Sequence, residues 1–96
     1  MTKSFSWDEE KNQKLIKERG ISFEVIVSYI EEGQVVDIIQ GKGKYSHQKQ
    51  YIVAVNSYIY VVPFVEEEIR IFLKTIIPNR KLTRHFLGGE KQNEEN

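Results

Sequence analysis

The chain reads as an α+β domain with two N-terminal helices, a four-stranded antiparallel meander and a short C-terminal helix. Three observations predict it. Phe23, Ile26, Val27 and Ile30 recur at i, i+3, i+4 and i+7, the apolar stripe of a helix. From Val35 the period changes to short runs rich in Val, Ile and Tyr between turn signals, the pattern of strands. After Pro78 it changes again: Asn79 precedes a basic run in which Leu82 and Phe86 stand one helical turn apart.

In chain order, Phe5-Ser6-Trp7 is a short apolar start, either a strand or an extended lead-in. Ser6 and Glu9 have the spacing of a capping box, and Asp8-Glu9-Glu10 put negative charge where a helix N-terminus favours it. The first helix is expected over about residues 7–19, closed by Gly20 as a left-handed cap. Its apolar stripe is thin: Trp7, Leu15 and Ile16. Ser22 caps a second helix over residues 23–32, and Gly33 ends it. So short a joint makes a tight αα corner.

Strands are expected over residues 35–39, 49–56, 58–65 and 69–77. Residues 41–47 form a glycine- and lysine-rich loop, Asn56-Ser57 a tight hairpin turn, and Glu66-Glu67-Glu68 the next turn. Pro63 has no N–H for a ladder, so it marks a bulge, a strand end or a local edge. In the last strand, strict alternation sends Ile69, Ile71, Leu73, Thr75 and Ile77 to a helix-covered face, and Arg70, Phe72, Lys74 and Ile76 to a half-open one. The expected architecture has two layers, with the helices on one face of the sheet. Leu82 and Phe86 are expected to dock the last helix. Residues 1–89 make one domain, and residues 90–96 a disordered polar tail.

Composition sets the bounds on function. At 96 residues the chain buries roughly two-thirds of its unfolded surface around one core. It has no cysteine, which excludes a disulfide, a zinc–thiolate site and a thiol nucleophile. No apolar run approaches the roughly 20 residues that span a bilayer, and the first residues lack a signal peptide's apolar segment. A cytoplasmic protein without membrane contact is expected. A net charge of zero argues against a simple nucleic-acid binder, but the charge is uneven. Residues 1–33 carry five basic and seven acidic side chains, residues 34–89 eight and four, residues 90–96 one and three. A locally basic second half between acidic flanks is one reading of this; solvated faces that merely differ is the other.

There is no phosphate-binding glycine loop, no H-E-x-x-H and no nucleophile elbow, so no cofactor or metal is expected. The basic stretch is more informative. Arg80 and Arg84, one helical turn apart, suit a phosphate, because each guanidinium fork binds its oxygens in pairs. Lys81 and Arg70 add RNA-binding charge. His47 and His85 are candidates for proton transfer near neutral pH. Lys49 and Lys74 are placed to line the site and to stabilise developing negative charge. Tyr45, Tyr58 and Tyr60 have the π-faces that stack on bases. Each has a plainer reading: a solvated basic helix end, exposed histidines, packing tyrosines.

Both ends of the chain carry a family resemblance. The opening F-S-W-D-E-E-K from Phe5, with R-G-I-S-F-E from Arg19, resembles BrnT-type toxins of bacterial type II toxin–antitoxin pairs. Those have F-x-W-D-x-x-K and H-G-[VI]-x-F-E at this same separation; the family histidine is Arg19 here. The ending I-R-I-F-L-K-T-I-I-P-N-R-K-L-T-R resembles their closing strand and R-K-x-T-[RK] helix start. The resemblance implies a RelE-like ribonuclease fold, metal-independent cleavage of RNA, inhibition of growth, and a cognate DNA-binding antitoxin as partner. By position Arg80, Lys81, Thr83 and Arg84 match the closing motif, and Trp7, Asp8 and Lys11 the opening one. Two other readings stand beside it: a non-catalytic module of the same fold that holds an acidic or amphipathic protein segment, and a homo-oligomer joined through residues 58–65.

Overall fold

The computed structural model describes residues 3–41, 43–45 and 48–88. The mixed α+β class is as expected, and the sheet has six strands. In chain order the elements are β1 (Ser4–Ser6), α1 (Glu9–Arg19), α2 (Phe23–Glu31), β2 (Val35–Gln40), β3 (Lys49–Val55), β4 (Tyr58–Glu66), β5 (Arg70–Leu73), β6 (Ile77–Pro78) and α3 (Arg80–Thr83). A 3₁₀ turn, Gly43–Tyr45, lies within the expected loop, and a π-helical turn, Arg84–Gly88, continues α3. The sheet order is β1-β5-β4-β3-β2, with β6 also on β4. The meander β2 to β5 is present, but the last strand expected over residues 69–77 is broken into β5 and the separate β6. The lead-in β1 joins it, parallel to β5, with Phe5 opposite Ile71.

The helix ends follow local chemistry. Asp8, not Ser6, caps α1: its carboxylate accepts the Glu10 N–H at 2.9 Å, and the helix starts two residues later than the capping box implied. A carboxylate this close to the helix N-terminus also meets the dipole favourably. Ser22 caps α2 as expected, accepting the Val25 N–H at 3.1 Å. Gly20 closes α1 with φ 68°, where any Cβ would be strained.

α1 and α2 lie on one face, over Tyr51, Val53, Val55, Val62, Phe64, Leu73 and Ile76, with Leu15, Ile21, Phe23 and Ile26. Phe23 and Ile26 are wholly buried, each stabilising the fold by roughly 1.5–3 kcal/mol. Trp7 stacks on Phe23 with ring centroids 5.6 Å apart. The thin stripe of α1 needs a correction. Ile16 is exposed, and the buried position is polar Asn12, fully excluded from solvent. Its Oδ1 accepts the Phe23 N–H and its Nδ2 donates to Glu24 Oε1, both at 2.8 Å. One amide thus fastens the αα corner from inside.

The last strand also differs from strict alternation. On β4 the groups turned away from β3 belong to Ile59, Val61, Pro63 and Val65, and their partners mark a slip. Val65 pairs with Phe72, and the Pro63 carbonyl accepts the Lys74 N–H at 2.8 Å. Val61 then pairs with Ile77, one residue later than the register of β5 requires. The extra residue sits opposite Pro63, which has no N–H to give. A slip of one residue flips the faces. Leu73 and Ile76 are therefore both buried under the helices, while Ile77 is exposed. Ile69, also expected on the covered face, lies before β5 and is exposed for that reason.

The helices are not confined to one face. Leu82 of α3 packs against Ile52, Ile59 and Val61, a second cluster on the opposite side of the sheet. α3 thus forms a partial third layer. Phe86 does not dock; it is 37% exposed. The expected disordered tail, residues 90–96, and His47 lie outside the described residues.

Candidate functional site

Asn79 begins the site. Its side chain accepts the Leu82 N–H at 2.8 Å, the N-cap that the sequence suggests. Its backbone N–H donates to the Ile59 carbonyl at 3.0 Å, continuing the β4 ladder past β6. Thr83, one turn on, completes the joint. Its Oγ1 accepts the Ile59 N–H at 2.8 Å and donates to the Asn79 carbonyl at 2.7 Å. With Leu82 inserted into the cluster below, a four-residue helix that would not persist alone is fixed in orientation.

That anchorage displays the rest of the motif. Arg80, Lys81, Arg84 and His85 are all exposed. The Arg84 N–H bonds the Arg80 carbonyl, so the two arginines follow one another along the helix. His85 meets the Phe86 ring edge-on at 4.8 Å. Among the described residues no carboxylate forms an ion pair with Arg80, Lys81 or Arg84.

The strand cations fare differently. Lys74, opposite Pro63, falls by register on the α3 side of the sheet, roughly 13 Å along β4 from Ile59. It is exposed and shares that face with α3. Arg70 is on the same face but roughly 26 Å from Ile59, and Glu67 holds its Nε at 2.7 Å. Lys49 is on the other face: it alternates with Tyr51 and Val53 under α1 and α2, and pairs with Glu66 at 3.4 Å. The structure therefore groups Lys74 with Arg80, Lys81, Arg84 and His85, and separates Arg70 and Lys49 from them. Tyr58 and Tyr60 meet edge-on at 5.7 Å, and Tyr60 packs against the helix-side core.

No family model, curated protein or solved structure matches the chain. What the site can do rests on its own geometry. No helix of the described residues is long and apolar enough to cross a membrane.

The other motif positions hold structure. Trp7 stacks on Phe23 and donates its Nε1–H to Glu9 at 3.2 Å. Asp8 is the α1 cap. Arg19, where the resembled family has histidine, donates from its guanidinium to the Ile76 carbonyl, at the slipped part of the last strand. Sequence reasoning missed two such residues. Asn12 was readable as a polar residue three positions before Leu15, on the stripe itself. The Thr83 clasp had only the i, i+4 spacing from Asn79 as a signal.

Burial, then the Glu66 carboxylate, pushes the Tyr51 phenol up. Glu66 itself is held below the usual carboxylate range by hydrogen bonds from Lys3 and Lys49. Both effects belong to the far end of the helix-side face, away from α3.

Proposed function

We propose that this chain is the toxin of a bacterial type II toxin–antitoxin pair, a metal-independent endoribonuclease that acts in the cytoplasm on RNA and arrests growth. The observation that carries the reading is the α3 corner: three cations without an ion-pair partner among the described residues, on a helix clasped to β4 through Asn79 and Thr83. Cations presented from a helix fixed in orientation are what a developing phosphorane needs, since positioning and electrostatics supply most of such a reaction's acceleration.

In this mechanism the ribose 2′-hydroxyl attacks the adjacent phosphate. Arg80 and Arg84 bind the phosphate and stabilise the charge that builds on it. Lys74 supplies a further cation on the same face, and Lys81 holds the neighbouring backbone. His85 takes the 2′-hydroxyl proton and passes it to the 5′ oxygen as the P–O5′ bond breaks, leaving a 2′,3′-cyclic phosphate, and its exposure gives RNA access to the ring. The partner of the toxin is a DNA-binding antitoxin that covers this corner.

The test is cleavage of RNA by the purified chain and by two variants. Arg80→Ala/Arg84→Ala loses on the order of 10²–10³-fold in rate or more, as when an oxyanion-hole donor is removed. Arg70→Ala, far away and already paired, cleaves like the parent. Equal rates for parent and double variant would overturn the assignment. The second reading, a non-catalytic module of the same fold, draws on exposed Ile77, Phe86 and Leu87 beside the cations. It predicts no cleavage and no growth arrest on expression.

A further inference from the structure

The sheet ends on β2, and the register shows which of its groups face outward. Asn56 and Ser57, both with positive φ, make a two-residue turn from Val55 to Tyr58, which makes that pair a hydrogen-bonded one. Bonded and non-bonded pairs alternate along an antiparallel ladder. Odd residues of β3 therefore bond toward β4. Even ones, Gln50 and Ile52, bond toward β2, where Ile39 and Asp37 stand opposite. The Ala54 N–H, donated to the Gln34 carbonyl at 3.2 Å, fits this phase. Ile38, opposite Tyr51, then turns its N–H and C=O to the open edge. There the N–H is met by the carboxylate of Asp37, at 2.8 Å.

This edge is aliphatic on both faces. Val36, Ile38 and Ile39 expose 42%, 52% and 39% of their surface. Edges of monomeric sheets are normally short, or guarded by lysine or proline. β2 has six residues, neither lysine nor proline, and Asp37 as its one charge. A register shift between Val35 and Asp37 bends its start, and the stretch from Asp37 to Gln40 stays regular. The opposite edge, β1, has only three residues.

We infer that β2 is the contact between two copies of this chain, paired antiparallel across a twofold axis at Ile38. Such an axis, perpendicular to the sheet, keeps each face on its own side, so the residue on the axis meets itself. With Ile38 there, the Asp37 carboxylate gives up the Ile38 N–H, and the two copies exchange a pair of N–H···O=C bonds that bring the two Ile38 side chains together. Asp37 then lies opposite Ile39 of the other copy. An axis at Asp37 would set two carboxylates directly opposite, which is repulsive. An axis at Ile39 would overlap only residues 38–40 of each strand, against residues 36–40 for the axis at Ile38. The axis at Ile38 is thus the one that keeps the longer overlap without setting like charges opposite. Joining β2 to β1 of another copy would engage three residues and leave an open chain. Two six-residue edges cover less than the roughly 1,200–2,000 Å² of standard stable interfaces, so the association is a weak one, seen only at high protein concentration.

The inference is independent of the RNA reading, and sedimentation of the full chain tests it. From about 10 to about 500 µM the parent shifts from monomer to dimer, and Ile38→Lys weakens association at least ~10-fold by setting two cations face to face. Ile38 is half-exposed in the single chain, so circular dichroism of the variant should match the parent. Ile69→Lys, at a 75% exposed position outside β2, should dimerise like the parent. A parent that stays monomeric throughout, a dimer indifferent to Ile38→Lys, or growth beyond a dimer would each overturn it.

Discussion

Thr83 Oγ1 accepts the Ile59 N–H at 2.8 Å, so a side-chain hydroxyl stands where the next residue of a paired strand would be. β6 is only two residues long, and without this contact the outer edge of β4 would end in an unpaired donor beneath α3. The bond ties the sheet to the helix that carries Arg80 and Arg84. Thr83→Val keeps the shape and removes the acceptor. It should cost about 1–3 kcal/mol, the range for an unsatisfied buried group. For a domain this size that lowers the melting temperature by roughly 4–8 °C per kcal/mol. Thr83→Ser should recover most of it. Thermal unfolding of the three proteins is the measurement, and equal midpoints would deny the clasp.

Asn12 makes a second prediction. Asn12→Leu fills the site but strips the Phe23 N–H of its acceptor and Glu24 of its donor, a loss of about 1–3 kcal/mol by urea denaturation. Asn12→Asp keeps the acceptor but sets a buried carboxylate against those of Glu9 and Glu24. It should be the less stable of the two at neutral pH, and should regain stability on acidification.

Glu66 gives a pH dependence whose sign is fixed by its direction of shift. Hydrogen bonds from Lys3 and Lys49 hold its folded-state pKa below that of the unfolded chain. Its contribution is therefore present above the ordinary glutamate range and is lost as pH falls through the depressed folded value. Glu9 behaves the same way, through hydrogen bonds from Gln13 and Trp7. The melting temperature should fall on acidification, and Glu66→Gln should flatten the fall. Salt near 1 M should weaken the effect, since these groups are exposed and the screening length shrinks to about 3 Å.

The β3–β4 turn offers a stabilising change. Ser57 has φ 65°, a left-handed conformation that costs an ordinary residue roughly 1–2 kcal/mol. Ser57→Gly yields the Asn-Gly pair favoured in such turns. After the entropy lost on ordering glycine, a net gain of about 0.5–1 kcal/mol is expected from the denaturation midpoint. No gain would mean that the turn tolerates serine without strain.

Much of this fold was legible because its signals are local. The α2 stripe, the Ser22 and Asn79 caps, the left-handed Gly20 and the Asn56-Ser57 hairpin each depend on neighbours within a few residues. The meander followed from strands joined by short turns. The misreadings have a common cause. Ile76 was assigned to the open face because alternation was carried through a slip opposite Pro63, on a different strand. Lys49 and Arg70 stand in the sequence as charges alone, and the structure sets them against Glu66 and Glu67. Residues 58–65 fall within β4, whose edges pair with β3 on one side and with β5 and β6 on the other.

The sequence by itself determined the class, the order of elements and the cationic helix start, because period, capping and turn chemistry are short-range. Only the tertiary structure decided which cations share a surface. That depends on register, and register is settled between strands: one extra residue opposite a proline turns Ile76 inward and Ile77 outward. The side chosen by α3 is of the same kind, set by Thr83 finding Ile59 and Leu82 finding the cluster beneath. The basic stretch was visible in one dimension; its division into a grouped set at Lys74, Arg80, Lys81, Arg84 and His85 and a dispersed pair at Lys49 and Arg70 exists only in three.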